Sequence, residues 1–379
     1  MINNISNVAN KCTGCTACSI ICPKQAIKLT ENNEGFLFPI IDNSKCNNCG
    51  VCKRVCPVLS LDKDNKYFLG CFAGWSNNPK IVKDSSSGGL FYEIANRFIK
   101  NKGVVCGVVL KNNRAVHVIA KDLKQVKKLM GSKYIQSNPS NAFNQIIKFS
   151  KNKKILFVGT PCQVAGLKNL VRLKENIKNI FFIDLICHGI PSYKIFDDYI
   201  KNNEIISFRD KTFGWDDFSL KIKSDNKQSL INFKKDIFMQ TFLSDLGLRY
   251  SCYNCKLLKS PTESDITLGD FWGISEVIKN PKGTSAIIVN TKKGLEIIRK
   301  LEKSNRVTLK EVDLNQIAKS NPKIMTGITR MPNKRKVFFN ILNEKGLDYI
   351  YKRLVKKEII KKNIRYAFLN LKSRLKKLI

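Results

Sequence analysis

Histidine is nearly absent from this 379-residue chain: His117 and His188 are the only two. Acidic residues are scarce as well, 30 against 67 Lys and Arg, which leaves a formal net charge of +37. No stretch comes near the roughly 18 consecutive apolar residues of a membrane-spanning helix. The opening residues, MINNISNVANKC, lack a basic segment followed by an apolar one, so no secretory signal peptide is read. A cytoplasmic location is expected, where a disulfide scaffold has no place. The basic residues are scattered and no nucleic-acid-binding motif accompanies them, so no nucleic-acid partner is expected. Over the body the excess charge reads as compositional drift toward Lys and Asn. Steering of an acidic redox partner or attraction to an anionic membrane are the functional alternatives.

Cysteine is what the chain does hold: fourteen residues, eight of them within the first 56. They form two copies of one pattern. The first is Cys12, Cys15, Cys18 and Cys22 followed by Pro23; the second is Cys46, Cys49, Cys52 and Cys56 followed by Pro57. This is the ligand run of a bacterial-type ferredoxin with two 4Fe–4S clusters, in which the fourth Cys of each run serves the other cluster. The expected sets are therefore Cys12, Cys15, Cys18 and Cys56 for one cluster, and Cys46, Cys49, Cys52 and Cys22 for the second. Zinc needs four ligands and would leave a surplus Cys. Each proline turns the chain away after the crossover ligand.

A chain of this length predicts two or three domains, with ample sequence beyond the cysteine runs to bury a core. After a short polar linker, 61–66, Tyr67–Trp75 reads as a strand. A helix is predicted over Leu90–Lys100, with Leu90, Phe91, Ile94, Ala95, Phe98 and Ile99 on one face. Strands follow at Val104–Leu110 and Ala115–Ala120, then a helix at Asp122–Met130. A second series runs strand Ile155–Val158, helix Gln163–Leu170, strand Ile180–Ile186 and helix Tyr193–Lys201. Residues 206–235 read as antiparallel strands, Ile237–Leu246 as a helix, and Ser285–Asn290 as a strand before a helix from Lys293. The alternation predicts an α/β body with a mixed sheet behind a ferredoxin-like module. From residue 351 onward, eleven Lys and Arg stand against one acid, Glu358. Leu354, Ile359, Ile360, Ile364, Phe368 and Leu371 recur near helical spacing. A basic amphipathic helix on an anionic membrane or a partner is one reading, and a helix packed on the body is the other.

The phrases SSSGG, GSKYIQS, GTPCQVAGLK, DLICHGIPS, RYSCYNCK and DITLGDFWG resemble the beta-subunit family of coenzyme F-420 hydrogenases and dehydrogenases. The resemblance covers about residues 67–330. It implies domains at 1–60 (dicluster ferredoxin), 67–150 (flavin-binding) and 151–330 (with a third cluster), ahead of a basic helical tail at 331–379. It implies FAD beside a 4Fe–4S cluster. Ser85, Ser86, Ser87, Gly88 and Gly89 open a helix, where small residues and free N–H groups suit a pyrophosphate; an ordinary helix cap is the bland reading. Ser132, Lys133 and Gln136 are candidates for the same cofactor.

Cys162 and Cys187 follow two strands and Cys252 and Cys255 form a close pair, together a full ligand set for a third cluster. Two buried thiols beside a zinc half-site or a redox dithiol are the competing readings. Cys71, Cys106 and His117 are expected in the core. His188 and Asp270 are the candidate catalytic residues, with Arg209, Lys211 and Trp215 near a substrate. The function expected is a flavin-dependent iron–sulfur oxidoreductase. Its acceptor would be coenzyme F-420 or an intermediate of cell-surface polysaccharide biosynthesis. The alternative is a non-catalytic electron-transfer subunit. The partner would be an acidic ferredoxin or a hydrogenase or dehydrogenase subunit.

Overall fold

The computed structural model describes residues 3–60, 68–174, 179–201, 203–225, 227–259, 262–361, 363 and 364. The linker at 61–66 and the positions of Phe368 and Leu371 lie outside the described residues. In the N-terminal module the short helices Ala17–Ile21 and Val51–Val55 follow the two cysteine loops. Each is opened by a left-handed residue, Thr16 at φ 68° and Gly50 at φ 75°. Strands β1 (Ile27–Glu31) and β2 (Leu37–Ile41) pair antiparallel between the two halves.

The body contains strands β3 (Gly70–Ser76), β4 (Val104–Lys111), β5 (Arg114–Ala120), β6 (Ile155–Gly159) and β7 (Ile180–Leu185). A small antiparallel group follows: β8 (Glu204–Asp210), β9 (Ser219–Ser224) and β10 (Lys227–Asn232). The chain then returns to the main sheet through β11 (Ile266–Asp270), β12 (Ser285–Val289) and β13 (Val307–Glu311). The main sheet has the order β13-β3-β12-β11-β7-β6-β4-β5. Neighbours β4, β6, β7 and β11 run parallel, and β5, β12 and β13 run against their neighbours. The parallel strands are apolar almost throughout, as strands covered on both faces must be; Ile155, Leu156 and Phe157 are fully buried. This is the mixed sheet that the alternation of elements predicts.

The C-terminal edge of the parallel strands is where such sheets place ligands. Here β6 runs into Thr160 and Cys162, β7 into Cys187 and His188, and β11 ends at Asp270. Ser285, which opens β12, pairs with Asp270 and puts β12 on the same edge.

The region read from sequence as a tail packs into the body. Helix Arg335–Ile350 is broken at Gly346 (φ 77°) and continues through a π-type turn at Tyr351–Val355. Phe338, Phe339, Ile350, Leu354 and Val355 join a core with Phe208 on β8 and with Phe196 and Phe238 on the helices that flank the β8–β10 unit. Ile359 packs against that core, whereas Ile360 and Ile364 are exposed. Among the described residues no helix is long and apolar enough to cross a membrane.

The ferredoxin-like module is fused to the body by its own core. Ile5, Val8, Cys12, Cys15 and Cys18 pack with Phe143, Phe157, Val164 and Leu167. The β1–β2 turn inserts beside the C-terminal helix: Arg335 makes a two-pronged pair with Glu34, at 2.8 and 2.6 Å, and donates from Nε to the Leu248 carbonyl at 3.1 Å. Gly35, at φ +77°, abuts the Lys194 backbone nitrogen, which a Cβ would approach to 2.8 Å. Removing one partner of a largely buried pair strands the other. Arg335→Met is expected to lower unfolding free energy by about 2–4 kcal/mol, read from denaturant midpoints of the anaerobic protein. A change under half of that would mean Glu34 is solvated in the folded state.

Asp184 on β7 is buried and accepts from Ser264 Oγ at 2.9 Å. Burial pushes its carboxyl up to about 6. The fold therefore prefers the protonated acid. That contribution is complete below the unfolded value near 4 and is lost as pH rises through about 6. Between pH 5 and 8 the wild type is expected to lose on the order of 1 kcal/mol through this group. Asp184→Asn removes that part of the slope, which urea titrations at the two pH values would detect.

Candidate functional site

The structure sorts the eight N-terminal cysteines into two recesses. Cys12, Cys15, Cys18 and Cys56 line one, together with Ile5, Val8 and Thr13. Cys22, Cys46, Cys49 and Cys52 line the other. Each recess thus takes three thiols from one run and the fourth from the other. The first recess is interior, all four of its cysteines being buried. The second reaches the surface through exposed Cys49. Backbone N–H groups aim at sulfur in both: Gly14 N donates to Cys12 Sγ at 3.4 Å and Ala26 N to Cys22 Sγ at 3.3 Å. Among the described residues no three His, Cys, Asp or Glu side chains converge as ligands for one ion. A cubane needs the thiols spread around it, because each thiolate binds a different iron.

Cys162, Cys187, Cys252 and Cys255 come together from three parts of the chain. Cys162 lies in the first turn of helix Pro161–Leu173, with Thr160 Oγ1 3.2 Å from its sulfur. Cys187 follows β7, and Cys252 sits in the 3-10 turn Tyr250–Tyr253. Burial pushes the Cys187 thiol up, and neighbouring Cys252, Cys162 and Cys255 add to it. Burial, with Cys162 and Cys252, likewise holds Cys255 at about 12. Lys323 acts as a cation on Cys187, Cys252 and Cys255, joined by Arg249 at Cys162 and Cys252, and its Nζ is tied to the His188 carbonyl. The interior recess is next door. Gly166, on the helix that Cys162 begins, leaves a Cβ position only 3.0 Å from Cys15 Sγ.

His188 pairs through Nε2 with Asp245 at 2.7 Å and stands edge-on to Phe242. Asp270 has both oxygens engaged: Arg209 Nη1 donates to Oδ2, and Trp215 Nε1 to Oδ1 at 2.9 Å. Arg209 lies on β8 where the β8–β9 pairing slips, an irregularity that re-aims side chains. Its guanidinium faces Phe218 and Trp272, and Trp272 stacks on Trp215 at 5.0 Å. Asp270 therefore positions an arginine and a stacked tryptophan pair. His117 is buried, with Nε2 3.2 Å from the Val158 carbonyl and a pKa lowered to about 4 by burial. Cys71 and Cys106 are buried in the body.

The serine–glycine loop gathers most of the residues read as cofactor contacts. Ser132 donates from N and Oγ to Ser86 Oγ, at 2.7 and 3.0 Å. Ser87 Oγ donates to the Thr284 carbonyl at 2.7 Å, and Gly88 N to Ser285 Oγ at 3.0 Å. A Cβ on Gly88 would stand 2.3 Å from the Gly74 carbonyl oxygen, so only glycine fits. Helix Leu90–Lys100 starts after Gly89 with no side-chain cap, which leaves its first N–H groups to another acceptor. Lys211 Nζ donates to the carbonyls of Val82, Ser87 and Lys282, and Lys133 Nζ to those of Leu129 and Met130. Burial lowers Lys133 to about 7 and Lys211 to about 8. Lys211 thus lies against the serine–glycine loop through the Ser87 carbonyl, and Lys133 follows Ser132, which bonds to that loop. Gln136 stands apart from it: its amide donates to the carbonyls of Thr13 and Gly14, both at 3.3 Å, in the interior cysteine loop.

Arg249 went unread in the sequence. It lies in the segment RYSCYNCK, three residues before Cys252, and that proximity to a close cysteine pair is the available signal. It is 1% exposed. Its Nε donates to the Cys12 carbonyl and Nη2 to the Leu37 carbonyl, both at 2.7 Å, while its own carbonyl accepts from Cys252 N at 2.9 Å.

Comparison with known proteins bears on these sites. Residues 11–59 match a 4Fe-4S dicluster domain. Residues 71–144 match the coenzyme F420 hydrogenase/dehydrogenase beta subunit N-term, and residues 152–315 its C terminus. The F420-dependent formate dehydrogenase subunit beta of Methanocaldococcus jannaschii is 21% identical over 183 residues, 46% of this chain. The match spans 43% of that relative's length. A chain of the F420-reducing [NiFe] hydrogenase complex from Methanosarcina barkeri aligns with a TM-score of 0.47 and 18% identity, over 70% of this chain and 93% of that one. Two regions of one family thus cover most of the body, behind a dicluster domain, and the chain belongs to the coenzyme F420 hydrogenase/dehydrogenase beta-subunit family.

Proposed function

We propose that this chain is the iron–sulfur electron-transfer subunit of an F420-type hydrogenase or dehydrogenase assembly. The observation that carries the reading is the order of the three thiol groups: a surface recess, an interior recess, and the Cys162, Cys187, Cys252 and Cys255 set beside it. Cys46, Cys49, Cys52 and Cys22 would hold the outer 4Fe–4S cluster, and Cys12, Cys15, Cys18 and Cys56 the inner one. The third set would hold another at the ligand-bearing edge of the sheet. Such clusters supply one-electron steps. The chain's part is to keep them close, dry and fixed.

FAD extends this reading to the other end of the edge. Gly88 and Gly89 allow close backbone approach, the uncapped helix offers N–H donors, and Lys133 and Lys211 supply positive charge. An anion there would raise both lysines back toward their ordinary values. Flavin is the group that converts single electrons into a hydride. The acceptor would then be the deazaflavin named in the formate dehydrogenase relative. Asp270 would act by orienting Arg209 and the Trp215–Trp272 pair beside it. His188, set against Asp245, would stand next to the third thiol set.

Anaerobic protein is expected to contain about twelve irons and one FAD per chain. Cys255→Ser should lower iron to about eight and leave FAD in place. A wild-type content near eight irons would remove the third cluster, and colourless protein would remove the whole reading. Lys133→Ala together with Lys211→Ala should weaken FAD retention by about tenfold or more while iron stays unchanged. Equal loss of iron and flavin would instead mean a folding defect.

A further inference from the structure

We infer that Arg249 is the electrostatic junction between the inner dicluster site and the third cluster, and that it sets the reduction potentials of both. The inference rests on the three-cluster reading above. A buried guanidinium is costly unless negative charge lies close. Arg249 is buried, yet among the described residues its side chain has only uncharged partners: the Cys12 and Leu37 carbonyls at 2.7 Å and Gln136 Oε1 at 3.4 Å. Phe36 and Phe38 cover its faces, with the ring of Phe38 centred 4.4 Å away. No Asp or Glu lies within ion-pair distance among the described residues, in contrast to buried Arg209 and Arg335, which pair with Asp270 and Glu34.

The missing countercharge is supplied by what the flanking thiols hold. Four thiolates around a cubane leave a net negative charge. Arg249 reaches the inner site through the Cys12 carbonyl and the third set through its own carbonyl, which accepts from Cys252 N. Its Nη1 lies 3.0 Å from the position a Cβ on Gly14 would take, inside the Cys12–Cys15 loop. Ser251 Oγ adds a second donor to the Cys12 carbonyl at 3.0 Å. One rigid fork therefore ties two ligand loops together and places a fixed positive charge between them. A cation favours the more negative, reduced form of each neighbouring cluster and raises its potential, since net charge and hydrogen bonding set cluster potentials. The outer site, around Cys46 and Cys49, has no contact with Arg249 and serves as the internal reference.

The test is a potentiometric titration followed by electron paramagnetic resonance on the anaerobic full-length protein. Arg249→Gln is expected to shift the two inner potentials downward and to leave the outer one in place. Arg249→Lys should return most of the shift. Gln136→Glu keeps Arg249 but sets a carboxylate against it, and should also lower the inner potentials. It carries the test if Arg249→Gln fails to assemble. Unchanged inner potentials in iron-replete Gln136→Glu or Arg249→Gln protein would overturn the inference, as would an equal shift at all three clusters. Failure of the three-cluster reading is distinguished beforehand, because it shows as a low iron count in the wild type.

Discussion

The molecule depends on the burial of one loop, Cys12–Cys18, against helix Pro161–Leu173. Electron transfer between metal centres needs short, fixed separations and the exclusion of water. The packing of Cys15 against Gly166 meets that need directly: a Cβ at Gly166 would stand 3.0 Å from Cys15 Sγ and 3.3 Å from its Cβ, tighter than an ordinary contact. The rest of the interface keeps this contact in register. Gln136 holds the carbonyls of Thr13 and Gly14, Arg249 those of Cys12 and Leu37, and Arg335 grips Glu34 at the hairpin turn. The ferredoxin-like module is thus a built-in part of the body, sharing its core.

A division of labour follows along the sheet edge. Cys162 and Cys187 follow the ends of β6 and β7, and the serine–glycine loop lies beside the start of β12. Between them stands the Asp270, Arg209 and Trp215 group, with every polar atom of the carboxylate engaged. Cations stand at each of these places: Arg249 and Lys323 beside the thiol groups, and Lys133 and Lys211 beside the serine–glycine loop. These four are among the cations behind the net charge of +37. Most surface lysines have no such setting.

Local chemistry made much of this legible. The two cysteine runs are readable because cluster ligation fixes spacing over a few residues. Helix Leu90–Lys100 follows from its apolar stripe and is found with the predicted limits. Strands β4, β6 and β7 follow from apolar runs within the sheet, and edge strand β5 from its alternation of buried and partly covered residues. Helix Ser140–Phe149 escapes the sequence reading because its buried stripe, Ala142, Phe143 and Ile146, is short and set among exposed Asn141, Asn144 and Gln145. Edge strand β13 was not assigned either, as it is only half-covered and lacks a strong run. Arg249 and Gln136 owe their surroundings to residues more than a hundred positions away, which no local pattern records. Leu354 illustrates the same limit: its helical spacing is real, but the surface it meets is the body's own core.

The central claim is a continuous path within one chain, from the exposed thiol recess to the flavin proposed at the serine–glycine loop. Rapid anaerobic mixing with a one-electron donor tests it most directly, with iron–sulfur and flavin absorbance followed together. The account predicts iron–sulfur bleaching first and flavin bleaching second, with a second phase whose rate is independent of protein concentration. Flavin bleaching that comes first, or whose rate rises with protein concentration, would contradict it.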